Sequence, residues 1–201
     1  MLARMDHAPD GARPDAKRLL RAAIRPLWAE ADLVAAGAAV TSRLLGLDEL
    51  ESAMTVAAYA DLPGELPTGD LLAALAARGM RVLLPVLHDD SSLSWRAAAP
   101  GAPYAEGRRG TRHPATGQTV PLSVADVVVA PGLAFDRHGR RLGRGGGSYD
   151  RALHGTRPDA ALVGVALDET VVDAVPTEPH DVAVHVVVTP TTVLRAASTG
   201  C

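Results

Sequence analysis

The segment Asp136–Arg151, DRHGRRLGRGGGSYDR, holds five glycines (positions 139, 143, 145, 146 and 147) and five arginines (137, 140, 141, 144 and 151). Glycine backbones approach a ligand closely and adopt positive φ, so Gly143, Gly145, Gly146 and Gly147 can turn their amides onto one anion. Arg141 and Arg144 add forked donors suited to phosphate oxygens. A helix beginning near Tyr149 would bring its positive N-terminal end to the same place. Asp150, just beyond the glycines, is placed to hold a Mg²⁺ that bridges phosphates. The chemistry this suggests is binding of a polyphosphate.

Known phosphate loops do not account for the segment. A Walker A loop needs Gly-Lys-Ser/Thr, which is absent, and in the GxGxxG frame that starts at Gly143 and Gly145 the third glycine is Ser148. The alternative is an idle basic surface loop. Five mutually repelling arginines argue against it, because they call for a counter-charge. A second cationic pair, Lys17 and Arg21, has i, i+4 spacing and shares one helix face. A solvated basic face is the bland reading of that pair.

The elements that must position these residues are read from apolar runs. Asp15 is expected to cap a first helix with Leu19, Leu20, Ala23, Ile24 and Leu27 inward, and Pro26 to kink or end it. A second helix is expected at about Ala29–Leu45. Strand-length apolar runs occur at Ala53–Tyr59, Met80–Val86, Ala125–Ala130, Ala161–Leu167 and Val184–Val188. A helix at Asp70–Arg78 is stopped by Gly79. Val/Leu-rich strands alternating with helices indicate an α/β fold: three layers, a mostly parallel sheet flanked by helices on both faces. The stretch from His88 to Thr119 lacks periodicity and reads as a small antiparallel excursion. The long loop and a helix from about Tyr149 follow the third strand.

The 201 residues suit a single domain, expected at 15–198, behind a disordered leader at 1–14. Formal net charge is −3, which gives no nucleic-acid signal. The single cysteine, Cys201, excludes an internal disulfide framework. No apolar run suggests a signal peptide or membrane span, so a cytoplasmic protein is expected.

The stretch VVVAPGLAFDRHGRRLGRGGGSYDRAL resembles the signature of 5-formyltetrahydrofolate cyclo-ligases, also called methenyltetrahydrofolate synthetases. It agrees at Pro131, Gly132, Phe135, Asp136, Gly139, Arg141, Leu142, Gly143, Gly145, Gly147, Tyr149 and Asp150. Lys17-Arg18-Leu19-Leu20-Arg21 resembles the family's Lys-x-x-Leu-Arg element. Tyr59-Ala-Asp-Leu-Pro-Gly-Glu65 resembles its segment after the first strand, and Val175–Asp181 its closing motif.

The resemblance implies a NagB/RpiA/CoA-transferase-like fold and an ATP- and Mg²⁺-dependent closure of 5-formyltetrahydrofolate to 5,10-methenyltetrahydrofolate. It implies that Lys17, Arg21, Arg141 and Arg144 hold the triphosphate together with Leu142, Gly143, Gly145, Gly146, Gly147, Ser148 and Tyr149. Glu65, Arg144, Gly147, Ser148 and Tyr149 would contact the reduced folate, whose polyglutamylation stays open. Asp150 and Asp181 would hold Mg²⁺; a cap is the other reading of Asp181. Arg144, Lys17 and Glu65 would carry catalysis, and a monomer is expected. Trp95 is read as core. Two departures stand out: Ser148 replaces a tyrosine, and Gly110-Thr-Arg-His113-Pro114 replaces Gly-Ile-x-Glu-Pro. They keep two alternatives open, a non-catalytic nucleotide- or folate-binding relative and a sugar-phosphate-binding α/β protein of similar fold.

Overall fold

The computed structural model describes residues 12–197. Residues 12–14 belong to the first helix; the rest of the expected leader, and Cys201, lie outside the described residues. Helix α1 spans Ala12–Glu30, α2 spans Leu33–Leu44, and the single turn α3 (Asp48–Glu51) follows. Two expectations are corrected here. Asp15 sits inside α1, where it pairs with Arg18 rather than capping the helix. Pro26 does not end α1, which runs on for four residues. Burial of Ile24 and Trp28 on either side of the proline outweighs the one backbone bond it forfeits. The break falls instead at Asp32, whose carboxylate accepts from the Ala35 amide and caps α2.

The main sheet has eight strands. Five are parallel: β1 (Thr55–Ala57), β2 (Arg81–Leu87), β7 (Val127–Pro131), β10 (Ala161–Val165) and β12 (Val186–Val188). β13 (Val193–Arg195) adds antiparallel at one edge. β3 (Leu93–Ala98) and β6 (Thr119–Val120) add antiparallel at the other. The order is β13-β12-β10-β7-β1-β2-β3-β6. The expected antiparallel excursion is therefore an extension of this sheet plus a separate hairpin, β4 (Tyr104–Glu106) with β5 (Arg112–Pro114).

Valine runs make this sheet because β-branched side chains suit a pleat buried on both faces. In β7, Val127 and Val129 face α1, α2 and α4 (Gly69–Ala77), while Val128 faces the opposite layer. That second layer contains α5 (Ser148–Leu153); a three-stranded sheet of β11 (Val171–Val172), β8 (Ala134–Asp136) and β9 (Arg141–Leu142) contributes Phe135 and Val171 to it and Ala134 and Leu142 to the first. Phe135, the chain's single phenylalanine, is fully buried there. Its ring occupies the space a Cβ would need at Gly164 in β10 and at Gly132 after β7. Among the described residues no helix is long and apolar enough to cross a membrane.

The chain reverses direction at β1. From there it winds outward to β2, then returns to β7 on the other side. A parallel sheet opens a crevice at the carboxyl ends of its strands at such a switch point. Tyr59 follows β1, Pro131 ends β7 and Val165 ends β10; all three line one cavity.

Candidate active site

This cavity has a volume of 410 Å³, and every residue singled out from the sequence as a candidate ligand lines it. Lys17 and Arg21 come from α1; Glu65 comes from the β1–α4 loop. Positions 141–150 come from β9, the glycine turn and α5, and Asp181 from the segment before β12. Residues separated by more than 160 positions in sequence thus share one wall.

The glycine-arginine segment is not one loop. Its first half is a hairpin, β8–β9, organised by Asp136. That carboxylate is fully buried and accepts from the amides of His138 (2.9 Å), Arg140 (3.1 Å) and Val175 (2.9 Å). Gly139 closes the turn at φ +73, with its α-carbon against the Val184 carbonyl, where a Cβ would lie 1.9 Å from that oxygen. The second half, Gly143–Gly147, forms the open floor of the cavity. Gly147 adopts φ +63 and starts α5, whose first turn carries Ser148, Tyr149 and Asp150.

Helix α1 is clamped over this floor. Trp28 Nε1 donates to the Leu133 carbonyl at 2.9 Å and Arg21 Nε donates to the Gly143 carbonyl at 2.9 Å. Lys17 is nearly buried, and its ammonium donates to Glu178 Oε2 (2.7 Å) and Asp181 Oδ2 (2.8 Å). Burial pushes that ammonium toward neutrality, but the bonds to Asp181 and Glu178 outweigh it and hold its pKa above the ordinary lysine value.

Arg141 lies beneath the floor. Its guanidinium pairs with Asp150 at 2.5 Å, reaches the Pro131 carbonyl at 3.3 Å and lies over the Tyr149 ring at 5.6 Å. Tyr149 in turn meets Trp95 edge to face at 6.2 Å, and Trp95 is core. The Tyr149 hydroxyl is sealed from solvent with no hydrogen-bond partner. Burial raises its pKa beyond the ordinary tyrosine range.

Glu65 faces the floor from the opposite wall. Arg144 Nε lies 3.0 Å from Glu65 Oε1, and Glu65 Oε2 accepts from the Leu62 amide at 2.9 Å. The loop carrying Glu65 is knit tightly. Thr68 Oγ1 donates to the Tyr59 carbonyl, Asp61 accepts from the Thr68 amide, and Pro67 packs where a side chain at Gly37 would stand. Burial raises the Glu65 pKa, and the Leu62 amide and Arg144 only partly offset this.

Glu178, His180 and Asp181 gather ligand atoms within 4.8 Å of one another. Asp150, paired with Arg141, is not a member of that group. Sequence reading passed over Tyr59, a buried side chain on the cavity wall whose hydroxyl burial holds protonated. It also passed over Arg109, Thr111 and Arg112, which enter the cavity from the excursion. Proximity to Glu65 in the motif is the one signal that points to Tyr59; nothing local marks the other three. His113, one of the two departures from the family pattern, is not part of the cavity wall. It sits in the β4–β5 hairpin, where burial and nearby Arg96 lower its pKa.

A switch-point crevice lined by guanidinium groups and bare glycine backbone defines an α/β protein whose site suits an anionic small molecule. The model of the 5-formyltetrahydrofolate cyclo-ligase family matches residues 11–190. A Mycolicibacterium smegmatis 5-formyltetrahydrofolate cyclo-ligase is 40% identical over 146 residues, 69% of this chain and 75% of that protein. The Escherichia coli K12 protein of the same name is 36% identical over 166 residues, covering 78% and 89%. The solved Aquifex aeolicus 5,10-methenyltetrahydrofolate synthetase superposes with a TM-score of 0.78 at 28% identity, covering 92% of this chain and 95% of that one. The chain belongs to the 5-formyltetrahydrofolate cyclo-ligase family and is an enzyme of that type.

Proposed function

We propose that this enzyme uses ATP to close 5-formyltetrahydrofolate into 5,10-methenyltetrahydrofolate, releasing ADP and phosphate. The observation that carries this reading is the meeting, in one cavity, of the Gly143–Gly147 floor with Arg144, Glu65 and the α1 cations Lys17 and Arg21. Family membership and the names of the relatives support the substrate.

A formyl group on nitrogen is amide-like, a poor electrophile whose oxygen leaves badly. Transfer of the γ-phosphoryl group to that oxygen gives an iminium phosphate. N10 then attacks the formyl carbon, loses its proton, and the oxygen departs as phosphate. Such chemistry asks the protein for position and charge rather than a nucleophile. Bare amides at Gly145 and Gly146 and the guanidinium of Arg144 donate to the β- and γ-phosphate oxygens. Lys17 and Arg21 neutralise them from above. Glu65, held by Leu62 and Arg144, orients the formyl-bearing edge of the pterin, and Tyr149 and Tyr59 bound it. No Ser-His-Asp or Cys nucleophile is needed.

The donor chemistry on the cavity wall fits Mg²⁺, since it offers carboxylate oxygens at Glu178 and Asp181 and at Asp150. These groups would hold it, and bound there it would offset phosphate charge. Lys17 and Arg141 now satisfy those carboxylates, so they are available as exchangeable partners. The reading includes a cytoplasmic monomer.

The test is purified protein with 5-formyltetrahydrofolate, ATP and Mg²⁺, followed by methenyl absorbance. ATP-dependent appearance of the chromophore is expected. A folded protein that gives none under saturating substrates refutes the reading.

A further inference from the structure

The cavity has two further cations, Arg109 and Arg112, beyond those assigned to the phosphates. Glu178 and Asp181, which hold Lys17 of α1, belong to the segment between β10 and β12. Arg109 and Arg112 belong to the excursion that packs on β2 and β3. β10 and β3 are four places apart in the sheet order, roughly 19 Å at one strand spacing. Between the two ends, Pro85, Leu87 and Leu93 supply an apolar wall.

Neither Arg109 nor Arg112 has a carboxylate partner among the described residues, although nearby Arg108 pairs with Asp89. Arg112 lies over the Tyr104 ring at 5.8 Å, which fixes its plane while leaving its forked donors free. Arg109 holds a left-handed backbone, φ 54 and ψ 29, that a non-glycine side chain adopts at a cost. Its guanidinium reaches the edge of the glycine floor at Gly146. A strained, unpaired arginine aimed into a cavity is arranged for an anion.

We propose that Arg109 and Arg112 form the subsite for the glutamate carboxylates of the folate, with Pro85, Leu87 and Leu93 against its aminobenzoyl ring. This assignment rests on the folate reading above and makes these residues determinants of substrate specificity. The chemistry matches along the length of the ligand: the neutral ring system meets the apolar wall, and the dianionic glutamate meets two forked cations. Both arginines are exposed, so further γ-linked glutamates can leave toward solvent.

The test compares 5-formyltetrahydrofolate with 5-formyltetrahydropteroate, which lacks the glutamate, in wild type and in Arg109→Ala, Arg112→Ala and the double variant. Arg112→Ala is expected to raise KM for the folate about tenfold, with kcat and the KM for ATP unchanged; Arg109→Ala should raise the folate KM by a similar factor. For the pteroate, variants and wild type should coincide. Arg109→Gly relieves the backbone, so it should melt at a higher temperature than wild type yet lose the same folate affinity. A purely structural role predicts no such split. Equal losses with folate and pteroate, or a rise in the KM for ATP in Arg112→Ala, would overturn the subsite. If wild type turns over and the variants match it, the subsite alone falls; if wild type neither binds nor converts the folate, the functional reading falls with it.

Discussion

Lys17 and Asp181 form a nearly buried ion pair at 2.8 Å, and Glu178 shares the same ammonium at 2.7 Å. Lysine pKa is raised here, so the pair's contribution to stability is fully present below the unfolded value of 10.5 and is lost as pH rises through the higher folded value. Lys17 therefore holds two carboxylates, and the proposed function gives it a second task, meeting phosphate.

The two tasks separate by mutation. Lys17→Met leaves Glu178 and Asp181 facing each other without a counter-charge, and should cost about 3 kcal/mol of stability. It should also raise the KM for ATP at least about tenfold. The double variant Lys17→Met/Asp181→Asn should regain most of the lost stability but none of the ATP affinity. Chemical denaturation with steady-state kinetics measures both. Recovery of ATP affinity in the double variant would show that Lys17 acts only as a structural partner.

Glu65 is costly to the fold in its charged form. Its pKa is raised, so the native state binds more protons than the unfolded chain between 4.5 and the folded value, and stability falls as pH rises through that window. Glu65→Gln removes this cost. The variant should melt about 2 °C above wild type at pH 7 and show no advantage below pH 4.5. Its kcat/KM should fall about 100-fold, since the group proposed to orient the folate is gone. A lower melting temperature at pH 7 would mean that the Arg144 pair stabilises the fold and would reverse this account.

The parallel strands were legible because a run such as Val127–Ala130 has no reading other than a buried strand; here Val127, Val128 and Val129 are all fully enclosed. The cavity-lining side chains were legible as types, because glycines and arginines crowded into sixteen positions are hard to explain otherwise. Their partners were not. Arg141 with Asp150, Arg144 with Glu65, and Lys17 with Asp181 are pairings made by tertiary packing, two of them across distant segments. The β8–β9 hairpin was also hidden, because it depends on Asp136 meeting the Val175 amide 39 positions away. Pro26 does not end its helix for the same kind of reason: the local rule lost to the burial of Ile24 and Trp28.

Asp136 gives the sharpest structural prediction. It contacts no part of the cavity, yet it satisfies three backbone amides of the hairpin and its neighbour. Asp136→Ala leaves those donors buried and unpaired, a loss of about 3–5 kcal/mol. We expect the glycine floor to lose protection in hydrogen exchange and ATP binding to weaken in step with stability. Conditions that restore folding, such as added osmolyte, should restore ATP binding as well. Weak ATP binding in a variant of wild-type stability would instead assign Asp136 to the ligand.

Arg141 and Asp150 pose the opposite case, a pair within the cavity wall that is nearly buried on both sides. Removing one partner strands the other's charge; removing both leaves little to strand. Arg141→Met should therefore cost about 3 kcal/mol, and Arg141→Met/Asp150→Asn about 1 kcal/mol or less. Activity should not follow stability. If Asp150 supplies an oxygen to Mg²⁺, the double variant stays well folded and needs a higher Mg²⁺ concentration for half-maximal rate. The single substitution Asp150→Asn should show the same Mg²⁺ requirement. An unchanged Mg²⁺ dependence in both would remove Asp150 from the metal site and leave Glu178 and Asp181 as its carboxylates.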